Sequence, residues 1–309
     1  MRNVSPFALG STLYMPATRP DLLAVMVGKK LPGLRSLVVC LEDAIAESDA
    51  TTALTRLRST LASVARTSRT DGPRPLMFVR PKNPRMAATL MAWPEIQVIE
   101  GFVIPKLDLA SLGSWGRVLD NPSQLLMPTL ETAQVYNPAA VAELGQALRA
   151  EFGERTLVIR IGGNDLLGCL ALRRPRSTTL YETPMGYVIP MLAGVLGAQG
   201  FALTAPVFEH LAMPDLLSRE LHLDMAHGLV GKTAIHPCQV PLIHEGLRVP
   251  IEDLNCARLI VQGARPAVFR HDDAMVEPAT HYNWALRTLE RAKWHGVKPV
   301  DCNLAQTGR

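Results

Sequence analysis

The chain has 309 residues, 48% of them hydrophobic and only 19% charged, which excludes disordered and polyionic classes. Lys and Arg number 32 against 28 Asp and Glu, and this net charge of +4 is too small and too scattered for a nucleic-acid binder. The length suits one large domain with a substantial core, or two smaller ones.

Eight short apolar runs rich in Val, Ile and Leu follow one another along the chain: STLYMP (11–16), SLVVCL (36–41), LMFVR (76–80), GFVIPK (101–106), QLLMPTL (124–130), TLVIRI (156–161), FALTAPV (201–207) and VGKTAIHP (230–237). They are continuous rather than alternating, as parallel strands covered on both faces are. Helix-like segments fill the gaps, among them 50–66, 138–151, 187–198 and 214–222. Eight strands alternating with helices predict an α/β fold, a (β/α)8 TIM barrel over residues 1–240. The chain beyond reads as a C-terminal helical extension, 241–309, with helices at IEDLNCARLIVQGA and HYNWALRTLERAKW separated by the polar HDDAMVEPAT. A doubly wound open sheet is the competing architecture, but the first strand lacks the glycine-rich turn that such a sheet uses for dinucleotides.

The stretch 183–208 carries no charge, yet it contains Pro190, Gly200 and Pro206. A buried helix, a turn and a buried strand suit it better than a membrane span. Five cysteines (Cys40, Cys169, Cys238, Cys256, Cys302) form no C-x-x-C pair and suit a reducing compartment. No secretory signal is read at the start. The expectation is a cytoplasmic protein without membrane or nucleic-acid partners.

In a TIM barrel the chemistry sits where the strands end. Arg19 follows the first run, Glu42 and Asp43 the second, and Arg80 closes the third. Lys106 ends the fourth, Glu131 follows the fifth and Asp165 the sixth, while Lys232 and His236 lie in or beyond the eighth. Several carboxylates beside several cations suit a hard divalent cation completed by substrate oxygens and water. Each residue also has a structural alternative. Glu131 could serve a helix N-terminus, Asp43 and Asp165 could be caps, and Arg80 could pair with Glu42 or Asp43. Lys106 could be a solvent-facing strand end, and His236 could close one end of the barrel with a hydrogen bond. Arg173, Arg174 and Arg176 could grip a phosphate or a CoA moiety, although a solvated basic loop is the more common explanation.

The ordered motifs MPATRP, VVCLEDA, FVRP, VIPK, LMPTLETA, IGGNDLLG and GKTAIHPCQV resemble those of citrate lyase β-subunit-like proteins, within the HpcH/HpaI aldolase and malyl-CoA lyase superfamily. FVRPKNP and GGNDLLG look closest to the divergent C–C bond lyase branch linked to tellurite-resistance gene clusters. The resemblance implies Mg2+ (with Mn2+ as the alternative) on Glu131 and Asp165, Arg80 on a substrate oxygen, and Glu42 with Asp43 ordering the site. Arg19 and Lys106 occupy motif positions that imply substrate binding. Cys40 stands where relatives often carry an acid, and Glu277 stands near the place of a catalytic Asp that covers a neighbouring subunit in trimers or hexamers. These departures weigh against citrate lyase activity itself. The implied reaction is retro-aldol or retro-Claisen cleavage of a small hydroxy or oxo acid, or its acyl-CoA thioester, in a homotrimer or hexamer. Thioester hydrolysis on the same metal, or a non-catalytic binding subunit of a biosynthetic or stress-response complex, are the alternatives.

Overall fold

The computed structural model describes residues 4–67, 73–263 and 266–298. The chain forms two compact units, Met1–Ile243 and His244–Arg309.

The first unit is an eight-stranded parallel barrel. Its strands are β1 (Ser11–Pro16), β2 (Ser36–Cys40), β3 (Leu76–Arg80), β4 (Gly101–Ile104), β5 (Leu125–Leu130), β6 (Ile159–Ile161), β7 (Leu203–Thr204) and β8 (Lys232–Ala234). Neighbours in sequence pair side by side from β1 to β7, and β8 returns to pair with β1. The ring closes between β7 and β8, where Ala205 N–H donates to the Gly231 carbonyl at 2.8 Å and Val230 N–H to that of Leu203 at 2.9 Å. The expected barrel is therefore present. Six of the eight runs are longer in sequence than as strands, because their ends leave the ladder to carry loops.

Helices return the chain between strands: α1 (Leu22–Met26), α2 (Ala50–Arg66), α3 (Pro84–Met91), α4 (Leu109–Val118), α5 (Pro138–Phe152), α6 (Gly163–Cys169), α7 (Met185–Ala198) and α8 (Pro214–Ala226). Local chemistry sets their starts. Asn137 and Asn83 cap the backbone of α5 and α3 just before a proline in the first turn, and Asp108 forms a capping box with Ser111 on α4. The uncharged stretch resolves into α7, a turn at Gly200 (φ +84°) and β7. Among the described residues no helix is long and apolar enough to cross a membrane.

Register decides which side chains enter the barrel. Residues paired across parallel strands face the same side, so Thr12, Ser36 and Leu76 share one face, as do Thr129, Arg160 and Thr204. The lower interior is apolar, with Val38, Phe78, Val103 and Met127 packed against Phe7 and Leu9 from the N-terminal turn. Above them, towards the strand ends, the interior becomes polar.

The second unit pairs α10 (Ile251–Gln262) with α11 (Pro278–His295), following α9 (Gln239–Gly246), which crosses the division. The polar segment between the two helices is a correction to the sequence reading. It folds as an antiparallel hairpin, β9 (Phe269–His271) and β10 (Ala274–Val276). Its two-residue turn places Asp272 at φ +49°, a left-handed conformation that Asp tolerates better than most residues. Phe269 and Val276 bury against Ala257, Ile260 and Ala285, which explains how so polar a segment orders. Cys40, Cys169, Cys238 and Cys256 are free thiols, while Cys302 lies outside the described residues, as do positions 299–309 of the expected extension.

Candidate active site

The strand ends bring together six of the residues singled out from sequence. Arg80, at the end of β3, is buried between carboxylates. Its Nη2 donates to Glu131 Oε1 at 2.8 Å, touches Glu42 Oε2, and lies 3.7 Å from Asp43. Lys106 follows β4 with φ +48°, a conformation costing a non-glycine residue about 1–2 kcal/mol. That turn aims its backbone N–H at Glu131 Oε1, 2.8 Å away. Its Nζ meanwhile reaches Glu42 at 3.1 Å, Asp43 at 3.4 Å and Asp165 at 3.9 Å. Both readings of Arg80 thus hold at once: it pairs with the acids and stands among the candidate ligands.

Four carboxylates face two cations, so 2 − 4 leaves two formal negative charges unbalanced. Glu131 feels this most. Burial pushes its carboxyl up to about 7, the Asp165 and Glu42 charges add to the effect, and Arg80 with the Lys106 N–H pulls the other way. Glu42 is also raised by burial, against the pull of Arg80 and Lys106.

The sign of the linkage follows. A carboxyl with a raised native pKa keeps a proton that the unfolded chain has already lost, so stability falls as pH climbs between the two values. The metal-free protein is expected to lose stability from about pH 4.5 to about 7 and to hold level above that range. Thermal melts in EDTA across this window, with Glu131→Gln alongside, check it. The substitution should remove most of the slope, and an unchanged slope would refute the assignment.

Gly162 makes room for this carboxylate. A Cβ there would sit 2.4 Å from both Cβ and Oε2 of Glu131, so no side chain fits without displacing the acid. Among the described residues no group of three or more His, Cys, Asp or Glu is spaced to hold a metal. Two carboxylates are nevertheless enough for Mg2+, which usually keeps several waters and takes further oxygens from substrate. Excess negative charge, a buried acid held near neutrality, and a glycine cradle beside its second oxygen all fit a hard divalent cation.

The remaining candidates lie elsewhere. Arg19 is half exposed and bonds Asp21 at 3.0 Å, and Asp21 also takes Lys30 at 2.6 Å. His236 Nδ1 lies 3.0 Å from Cys238 Sγ and accepts the Cys238 N–H within a local turn. Lys232 faces outward from β8 and is buried with Glu220 and Asp224 of α8. Glu277 belongs to the second unit, immediately before α11, where its carbonyl accepts from Thr280 and His281.

Two side chains under the site were missed. Arg160 is 2% exposed, its Nη2 bonds Thr233, and its guanidinium sits 5.2 Å from the Tyr14 ring. A charge embedded in the apolar run VIRI was the available signal, since an arginine is rarely buried without purpose.

Comparison with known proteins adds relatives to this geometry. A family model for C–C bond lyases of the TIM-barrel fold matches residues 3–297. A citrate lyase subunit β-like protein of Deinococcus radiodurans is 29% identical over 281 residues, covering 87% of this chain and 90% of that protein. The CitE protein of Mycobacterium tuberculosis, solved with magnesium, acetoacetate and coenzyme A, superposes with a TM-score of 0.68 at 21% identity, covering 93% of this chain and 99% of that one. A citrate lyase of Burkholderia xenovorans reaches a TM-score of 0.71 at 16% identity, covering 97% and 98%. At such identities the two solved structures speak for the fold alone.

Proposed function

Because this chain belongs to the C–C bond lyase family of the TIM-barrel fold, we propose that it breaks or forms a carbon–carbon bond in a hydroxy or oxo acid, or its CoA thioester, with Mg2+ held by Glu131 and Asp165. The observation that carries the reading is the convergence of Glu42, Asp43, Arg80, Lys106, Glu131 and Asp165 on one end of the barrel. Bound there, Mg2+ (or Mn2+) supplies a Lewis acid for adjacent substrate oxygens.

The chain's own residues do the rest. Arg80, clamped between Glu42 and Glu131, keeps a fixed positive charge where an oxygen turns negative as the carbon–carbon bond breaks and its electron pair moves towards the carbonyl. Lys106 adds a second cation, oriented by Glu42 and Asp43. Arg19 is assigned to the outer part of the substrate. Glu277, supplied by another copy in a homotrimer or hexamer, takes up and returns the proton at carbon. A cytoplasmic setting matches four free thiols.

The test uses pure protein, Mg2+ and a panel of hydroxy acids and acyl-CoA thioesters, with products analysed for carbon–carbon cleavage. Asp165→Asn is expected to weaken Mg2+ binding at least about tenfold and to lower turnover with it. Free CoA without carbon–carbon cleavage would replace the proposal with thioester hydrolysis. No turnover and no Mg2+ binding, together with a stable partner in pull-down, would replace it with a non-catalytic subunit.

A further inference from the structure

Tyr14 stands in the middle of β1, paired with Val38, which pairs in turn with Phe78 of β3. Residues paired in this way share a face, so the Tyr14 ring belongs to the barrel interior and packs on the apolar layer there. Val38 and Phe78 are fully buried, yet Tyr14 is only half-buried. Phe7 and Leu9 pack across the opposite end of that layer. An inward side chain can then meet solvent only through the mouth at the strand ends. The phenol oxygen, at the tip of the ring, is what arrives there.

Its surroundings are those of the reacting centre. Arg160 lies 5.2 Å from the centre of the ring, and Arg80 and Glu131 are close enough to act on the charge of the phenol. Towards an arginine the phenol oxygen can only accept, because a guanidinium carries no acceptor. The O–H is left for another partner, and Glu131 Oε1 is already taken by Arg80 and by the Lys106 N–H. Among the described residues no group accepts a hydrogen bond from it. Burial pushes the phenol up, so that it keeps its proton, while Arg160 and Arg80 pull the other way and polarise the O–H. A neutral, polarised hydroxyl held on a rigid strand is suited to an oxygen that becomes negative.

We propose that Tyr14 is a further catalytic residue, whose hydroxyl donates a hydrogen bond to the substrate oxygen that turns negative as the carbon–carbon bond breaks. The assignment rests on the lyase reading above. Tyr14 keeps its proton throughout, and no covalent bond to it forms or breaks. Its hydrogen bond strengthens as the electron pair arrives on that oxygen, which is the difference between ground and transition state that accelerates a reaction. Arg80 supplies a fixed charge, and Tyr14 a donor with a direction. Arg160, buried against the ring, positions it.

Oxalate is the probe, a planar dianion whose oxygens on adjacent carbons imitate the enolate of an oxo acid. Pyruvate, with a neutral carbonyl, is its counterpart. Calorimetry on the full chain with Mg2+ is expected to show saturable oxalate binding, weakened about tenfold or more in Tyr14→Phe. Pyruvate affinity should change by less than about threefold, because the donor answers to a charge that the ground state lacks. Mg2+ affinity and the thermal melt of Tyr14→Phe should match the wild type, since the ring and the carboxylates stay in place. With a cleaved substrate in hand, kcat should fall by about 10²–10³-fold while KM stays nearly constant. Should the variant melt lower, fluorotyrosine at position 14 takes its place. Its more acidic phenol is expected to bind oxalate more tightly, and no gain overturns the proposal. Equal oxalate affinity in Tyr14→Phe, or equal losses for oxalate and pyruvate, overturns the role of Tyr14 while Mg2+ binding leaves the lyase reading standing. A wild type that binds no Mg2+ overturns the lyase reading, and the proposal falls with it.

Discussion

Glu131→Gln should lower kcat by about 10²–10³-fold, the scale seen when one preorganised electrostatic contact to a developing charge is lost. The substitution is close to isosteric. A glutamine carbonyl still accepts the Lys106 N–H that lies 2.8 Å from Oε1, and Arg80 still has Glu42 beside it. What disappears is one negative charge from the pair proposed to hold Mg2+. Folding should move the other way. Burial holds Glu131 near a pKa of about 7 against an ordinary 4.5. At about 1.4 kcal/mol per unit, ionising it in the native state costs up to about 3 kcal/mol above neutrality. Part of that recovery is offset by the lost attraction to Arg80. The metal-free variant should therefore melt no lower than the wild type at pH 8, and plausible losses of turnover through misfolding are ruled out by the same melt. Turnover within a factor of about two of the wild type would remove Glu131 from the chemistry.

The barrel was readable from sequence because parallel strands covered on both faces appear as short, uninterrupted apolar runs, and eight of them admit few architectures. The candidate site was legible because chemistry in this architecture gathers at strand ends, where Arg80 and Lys106 each close a run and Glu42, Glu131 and Asp165 each come after one. The same continuity hid the parity of every strand. Lys232 sits in the run VGKTAIHP, and only the register of β8 against β1 shows that it turns outward while Thr233 turns in towards Arg160. Arg174 was hidden for a related reason. Three arginines around a proline look alike in sequence, and burial of the middle one depends on Glu220, forty-six positions away. The hairpin at 269–276 escaped because its strands are three residues each, and its apolar contacts come from α10 and α11 rather than from within.

Lys232→Met should destabilise the protein by about 3–5 kcal/mol, the usual consequence of removing one member of a buried ion pair. The cluster is charge-balanced, with Lys232 and Arg174 against Glu220 and Asp224, and its ion-paired side chains are at most 1% exposed. Lys232 Nζ lies 2.9 Å from Glu220 and 2.8 Å from Asp224. Without it, Glu220 keeps Arg174 and the Leu180 N–H, but Asp224 is left with the Tyr181 hydroxyl alone among its side-chain partners. The penalty thus falls mainly on a stranded Asp224 charge rather than on lost packing. Two outcomes separate these causes. If the stranded charge dominates, Asp224→Asn in the Lys232→Met background should restore a large part of the lost stability in denaturant melts, because a buried neutral amide costs far less than a buried carboxylate. If the loss is one of packing, the double variant should be as unstable as the single one, or more so. Mg2+ affinity of whatever folds should stay at the wild-type value in both, since the cluster joins β8 to α8 on the outside of the barrel and shares no side chain with the carboxylates of the centre.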